Sequence, residues 1–174
     1  ALELFPDDPD FTSGLARALA SSNRQAAIAG IDAALNLNPR HIPSLLFQVE
    51  ALIDAEQYDD ATERIDRIHQ IDPLEPEAWA FKAVIAHLTS DLRGEVAFRD
   101  KALSHWRNNP RIDHLIGRKL SQHYRFREGA AYQRRALTLK PDFAPAQRQL
   151  ADDLLRLGDE AEGWKVAHAA YDTD

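Results

Sequence analysis

The sequence predicts an all-α fold, a right-handed α-solenoid of antiparallel helix pairs. Three observations predict it: a 34-residue internal period, helical spacing of apolar residues inside each period, and prolines that punctuate it. Leu37-Asn38-Pro39, Ile71-Asp72-Pro73 and Leu139-Lys140-Pro141 each close an amphipathic stretch, with 34 residues from Pro39 to Pro73 and 68 from Pro73 to Pro141. The missing member falls at Arg107, a substituted proline, and Asn108-Asn109-Pro110 supplies the turn just afterwards. In this register residues 1–174 form one array with repeats at 8–41, 42–75, 76–109, 110–143 and 144–174, and residues 1–7 read like the tail of a preceding second helix.

Each repeat justifies its two helices in turn. In the first, Leu15, Ala27 and Ala34 take the eighth, twentieth and twenty-seventh positions, where small or apolar residues let two helices approach closely. In the second, Leu45, Val49 and Leu52 follow an i, i+4, i+7 pattern that Ala61, Ile65 and Ile68 repeat after the polar connection 54–60. Asp59 and Asp60 suit the start of that second helix, where carboxylates meet unpaired N–H groups and the positive end of the dipole. In the third, Ala83 and Ala102 fit, but Glu95 stands where a small residue belongs, so the segment 92–97 is expected to slip register by a residue or two. Gly117, Gly129 and Ala136 serve the fourth repeat, and Ala151, Gly163 and Ala170 the fifth, with Gly158 in the turn between its helices.

Composition narrows the function. The chain of 174 residues is 44% hydrophobic and 28% charged, ordinary for a folded domain, and no apolar run approaches the ~18 residues of a membrane span. The start ALELFPDDPD lacks a basic and apolar signal pattern, which favours a cytoplasmic location unless an export signal has been removed. There is no cysteine and no methionine, not even an initiating one, so a piece cut from a longer array is expected. Uncapped ends of such a piece imply end-to-end self-association through Leu2 and Tyr171. Sixteen arginines against five lysines fit a GC-rich bacterial gene.

Catalytic chemistry finds no constellation. The seven histidines contain no His-Glu-x-x-His pair, no glycine run cradles phosphate, and no serine sits in a nucleophile elbow. Histidines here are expected to be structural, and Asp60 with Arg64 and Glu63 with Arg67 are expected as i, i+4 surface pairs worth about 0.3–0.5 kcal/mol. No enzyme activity, cofactor or metal is expected.

The second repeat, from Ile42 through Tyr58-Asp59-Asp60-Ala61 to Ile71-Asp72-Pro73, resembles the tetratricopeptide repeat (TPR) over its whole length. Trp79, Ala83, Gly117, Phe126, Ala136 and Pro141 match the same pattern in phase. The resemblance implies a non-catalytic protein–protein interaction scaffold that binds a peptide or protein segment in a concave groove. It places that groove on Leu46, Glu50, Asp54, Ala80, Val84, His87, Arg111, His114, Arg118, Gln122, Arg148 and Asp152. Residues 42–75 carry a net −7 and residues 110–143 a net +5, so a partner with an acidic segment is expected at Arg111, His114, Arg118 and Arg148. The lysine/asparagine clamp of chaperone-binding members is not reproduced by Thr12, Ala16, Leu46 and Glu50. With an overall charge of −7 and no continuous basic stripe, neither nucleic acid nor membrane is expected as partner. An alternative is a substrate-recognition or spacer segment of a larger multidomain bacterial enzyme. Residues 113–167 faintly resemble repeats of large bacterial proteins with a metallopeptidase-like domain, though the zinc motif is missing.

Overall fold

A computed structural model of the chain describes residues 8–20 and 22–171. The expected tail at residues 1–7, and the Leu2 and Tyr171 side chains expected to meet end to end, lie outside the described part. The described residues form ten helices and no strand. These are α1 (Pro9–Leu19), α2 (Arg24–Leu37), α3 (Ile42–Asp54), α4 (Tyr58–Ile71), α5 (Pro76–Leu88), α6 (Leu92–Ala102), α7 (Pro110–Gln122), α8 (Phe126–Leu139), α9 (Ala144–Arg156) and α10 (Glu160–Tyr171). Helices α3, α5, α7 and α9 begin 34 residues apart, and so do all five second helices from Arg24 to Glu160. The expected slip over 92–97 does not occur, since α6 begins at Leu92 in phase. The chain divides into two compact units, 1–75 and 76–174, at the boundary between the second and third repeats.

Helix starts obey elementary capping. Asp8, Asn23 and Asn109 accept backbone N–H bonds as N-caps, and prolines stand in the first turns of α1, α3, α7 and α9, where a missing N–H costs nothing. The first repeat departs from the register. Asp8 is the cap rather than the first helical residue, so α1 starts one residue late and buries Ser13 and Ala16, leaving the expected Leu15 39% exposed.

The connection inside each of the other repeats is one device used four times. Glu56, Ser90, Tyr124 and Gly158 adopt φ of 58°, 66°, 62° and 83°, at the same position of successive repeats. The N–H groups of the next residues along, Gln57, Asp91, Arg125 and Asp159, bond back to the carbonyls of Leu52, Ala86, Leu120 and Leu154. This is the Schellman arrangement, which satisfies carbonyls that a helix end would otherwise leave open.

In unit 1 the core is the apolar stripe shared by α2, α3 and α4: Ile31, Leu45, Val49, Ile53, Ile65 and Ile68 are at most 1% exposed. Polar ties pin the helix ends. His41, buried as the N-cap of α3, holds Ser44 Oγ through Nδ1 (2.8 Å) and Asp10 Oδ1 through Nε2 (2.9 Å). The expected surface pairs of α4 do not form. Arg67 donates instead to the Pro39 carbonyl (2.7 Å), while Arg64 lines a cleft with Ile28 and Phe47, because both long side chains reach back to the preceding repeat.

Unit 2 is more polar inside. Gly117 and Gly129 face each other where α7 crosses α8. A Cβ on Gly117 would meet the Gly129 carbonyl at 2.9 Å, so only glycine allows this approach. Three inward-facing carboxylates replace apolar packing elsewhere. Glu95, half-buried in α6, accepts the Tyr132 hydroxyl of α8 (2.5 Å) and pairs with His87 Nδ1 of α5 (2.9 Å), which is how this out-of-pattern residue stays in phase. Asp113, 0% exposed in α7, accepts two bonds from Arg99 of α6 (2.6 and 2.7 Å). Helix α6 itself stops at Ala102, three residues before the point set by Leu37, Ile71 and Leu139 in the other repeats.

Asp153 of α9 is the third, also 0% exposed, accepting from Gln149 Nε2 (3.0 Å) and sharing the Ser121 hydroxyl (2.9 Å) with the Gly117 carbonyl (3.0 Å). Ser121 has one proton for two acceptors, so a protonated Asp153 resolves the conflict by donating to Ser121 while Ser121 donates to Gly117. Burial raises the Asp153 carboxyl to about 6, against the lowering effect of its Ser121 and Gln149 bonds.

This architecture has two measurable outcomes. The carboxyl pKa is raised in the folded state, so its contribution to stability is full below about pH 4 and is lost as pH rises through about 6. Asp153→Asn, which supplies an amide donor to Ser121, is expected to leave the melting temperature unchanged at pH 4. At pH 7.5 it should raise stability by about 2 kcal/mol in calorimetry. The left-handed turns give the second: Ser90→Gly is expected to stabilise by about 0.5–1 kcal/mol, and Gly158→Ala to destabilise by about 1 kcal/mol, in urea unfolding.

Candidate functional site

The groove positions set by the family pattern fall into two groups by unit. In unit 1, Leu46 is 6% exposed and belongs to the core, Glu50 is half-buried, and Asp54 is exposed at the end of α3. In unit 2, Ala80 and Val84 are 0% exposed, so their side chains offer a ligand no surface. The reason lies in α5, whose Ala78, Ala80, Phe81, Ala83, Val84, Ile85 and Ala86 are all buried; a helix apolar nearly all round is enclosed. His87 is 14% exposed and committed to Glu95.

Helices α7 and α9 carry the remaining six. Arg111, His114, Arg118 and Gln122 recur at three- and four-residue steps, which aligns them on one face of α7. Arg148 and Asp152 stand one turn apart on α9, which packs against α7. Arg111, Gln122, Arg148 and Asp152 are exposed, and Arg118 is half-buried. Arg111 and Arg118 on α7 and Arg148 on α9 thus bring three arginines to a pair of packed neighbouring helices in unit 2, with Asp152 as the single acid among these six positions.

His114 plays a different part from the arginines. Its Nδ1 bonds Gln133 Oε1 (2.8 Å) and its ring meets Phe143 edge-on at 5.5 Å, so it is a packed strut between α8 and the start of α9. Burial holds its pKa below the ordinary histidine value, the Gln133 bond works against that, and the charge of Arg118 lowers it further. The imidazole is therefore neutral at pH 7, and the positive charge of this face comes from Arg111, Arg118 and Arg148.

No group of three or more His, Asp or Glu side chains able to hold a metal ion occurs among the described residues, and none of their helices is long and apolar enough to cross a membrane. His41, His87 and His114 are each tied to a Ser, Asp, Glu or Gln partner. Sequence reasoning missed the buried carboxylates Asp113 and Asp153, since a charge on an amphipathic helix gives no sign that it points inward. For Glu95 the signal existed: it broke the small-residue pattern, and a residue that breaks a packing pattern needs partners.

Comparison with known proteins agrees with this architecture. A family model described as tetratricopeptide repeat matches residues 18–85. No curated protein matches the chain by sequence. Among solved structures, the chain is similar to YrrB, described as a TPR protein with an unusual peptide-binding site (15% identity, 100% of this chain and 90% of that one, TM-score 0.54). It is also similar to MamA (14% identity, 95% and 91%, TM-score 0.51) and to residues 41 to the end of MamA from Desulfovibrio magneticus RS-1 (13% identity, 95% and 94%, TM-score 0.52). At such identities the likeness is one of fold. Residues 18–85 match the tetratricopeptide repeat model directly, and the same 34-residue helix-pair spacing continues through α10.

Proposed function

We propose that this protein is a non-catalytic scaffold that holds an acidic peptide or protein segment across the exposed face of α7 and α9. The observation that carries the reading is the placement of Arg111, Arg118 and Arg148 on two packed first helices of consecutive repeats. Guanidinium groups present planar forks that match carboxylates two bonds at a time. Their neighbours Gln122 and the neutral His114 add hydrogen-bonding capacity without opposing charge. The tetratricopeptide repeat match over residues 18–85 supports a protein partner, and the peptide-binding site named for YrrB supports a peptide in particular.

Rigid helices favour this use. Arg111 and Arg118 stand on an α7 that also buries Asp113, Gly117 and Lys119, so this part of the face is presented without an ordering cost to the backbone. Affinity through exposed charges rises steeply as salt is lowered, because the Debye length grows from about 8 Å at physiological ionic strength.

A fluorescent Glu-rich peptide titrated into the chain at low salt should show saturable anisotropy. Arg118→Glu combined with Arg148→Glu is expected to weaken it at least tenfold, about 1.4 kcal/mol, with circular dichroism unchanged. Binding that survives both substitutions at low salt would overturn the subsite.

A further inference from the structure

Arg107 stands where the other repeats place proline, in a connection longer than theirs. Helix α6 ends early at Ala102, and the segment from Leu103 to Asn109 crosses to α7 without continuing the helix. Beside it, unit 2 opens a cleft of about 570 Å³ bounded by α6, the connection, α7 and α8. This volume lies within the range of small-molecule sites.

The cleft is lined by three guanidiniums, from Arg99, Arg107 and Arg135, with Leu103 and Leu139 as apolar flanks. They are not equivalent. Arg99 is already engaged by both oxygens of the buried Asp113, and Asp100 Oδ1 lies 3.9 Å from its Nη1. The two carboxylates that line the cleft are thus both drawn to Arg99. Arg135 lies over the Tyr132 ring at 4.7 Å, a contact that uses the face of its guanidinium and not the N–H donors at its edge. Among the described residues, neither Arg135 nor Arg107 is paired with a carboxylate. Two cationic forks therefore share one cleft with no carboxylate paired to either of them.

We propose that this cleft is a binding site for a phosphate group, free or as an ester, held between Arg107 and Arg135. Acceptor count selects phosphate over carboxylate. A monocarboxylate has two oxygens, which a single guanidinium satisfies, as Asp113 does for Arg99. Two forks in one cleft call for a group that offers more oxygens and more charge, and a phosphate ester carries about −1.5 to −2 at pH 7. Leu103 and Leu139 give an ester's carbon skeleton an apolar surface beside the phosphate. The site is separate from the α7–α9 face, so the two proposals stand or fall independently.

Inorganic phosphate titrated into the full chain at constant ionic strength, monitored by amide chemical shifts, tests the site. The expected result is a saturable shift confined to the α6–α7 connection and the surroundings of Arg135. Arg107→Gln and Arg135→Gln should each weaken the apparent affinity at least fivefold, and together abolish it, whereas Arg148→Gln on α9 leaves it unchanged. Acetate at equal ionic strength should bind at least fivefold more weakly than phosphate. Phenyl phosphate run in parallel separates the two sources: tighter binding than inorganic phosphate supports an ester, and equal or weaker binding supports the free ion. Phosphate affinity retained in the double variant, or acetate binding as tightly, would overturn the proposal. Both arginines are exposed, and the amide spectrum itself reports whether each variant is folded.

Discussion

Every repeat must reverse the chain within a few residues and bring its two helices back into contact, and the rest of the architecture depends on how that reversal is made. Four connections use the same left-handed residue and the same backward hydrogen bonding. A fixed turn sets the phase of the second helix against the first. Small residues can then recur at fixed offsets, and apolar stripes meet rather than slide past one another. The turn is made by glutamate, serine, tyrosine and glycine in turn, so the backbone arrangement is imposed by packing on either side rather than by local preference. The first repeat, whose α1 begins one residue late, shows the cost of losing phase: burial shifts from Leu15 to Ser13 and Ala16.

Unit 2 treats its junctions differently from unit 1. In unit 1 the twenty-fourth residue of the first repeat and the fourth of the second are Ile31 and Leu45, both buried and apolar. In unit 2 the corresponding positions where the third repeat meets the fourth are Arg99 and Asp113, an ion pair. Where the fourth meets the fifth they are Gln133 and Gln147, both buried amides. Interior polarity in a helical repeat is tolerable only when each group is satisfied, since an unpaired buried charge costs several kcal/mol. Glu95 meets that condition through His87 and Tyr132, and Arg99 and Asp113 meet it through each other.

Much of the fold was legible because its signals are local and repeated. Pro76 and Pro110 mark first-helix starts, and alternating small and branched residues at helical spacing mark the faces that pack. The left-handed turns were not legible at Glu56, Ser90 and Tyr124, because only glycine announces that conformation in a sequence. The early end of α6 was not legible: a missing proline at Arg107 removes a helix stop and gives no sign that the helix ends at Ala102, five residues before it. Among the groove positions, a family offset says which way a residue points on an idealised helix and not what covers it. Ala80 and Val84 are enclosed because α5 is apolar around nearly its whole circumference, a property their own segment displayed. Arg111 and Arg148, by contrast, stand on amphipathic helices and are exposed.

The bidentate bond between Arg99 and Asp113 also bears on how such an array can change by gain or loss of whole repeats. A constant 34-residue period suggests interchangeable parts, since removing residues 76–109 would keep every helix in phase. The electrostatics forbid it. The residue then occupying the place of Arg99 would be Ile65, and the fully buried Asp113 carboxylate would face an aliphatic side chain with no counter-charge. Geometric modularity and electrostatic modularity are therefore separate properties in this chain: the third and fourth repeats are joined by charge and must be inherited as a pair.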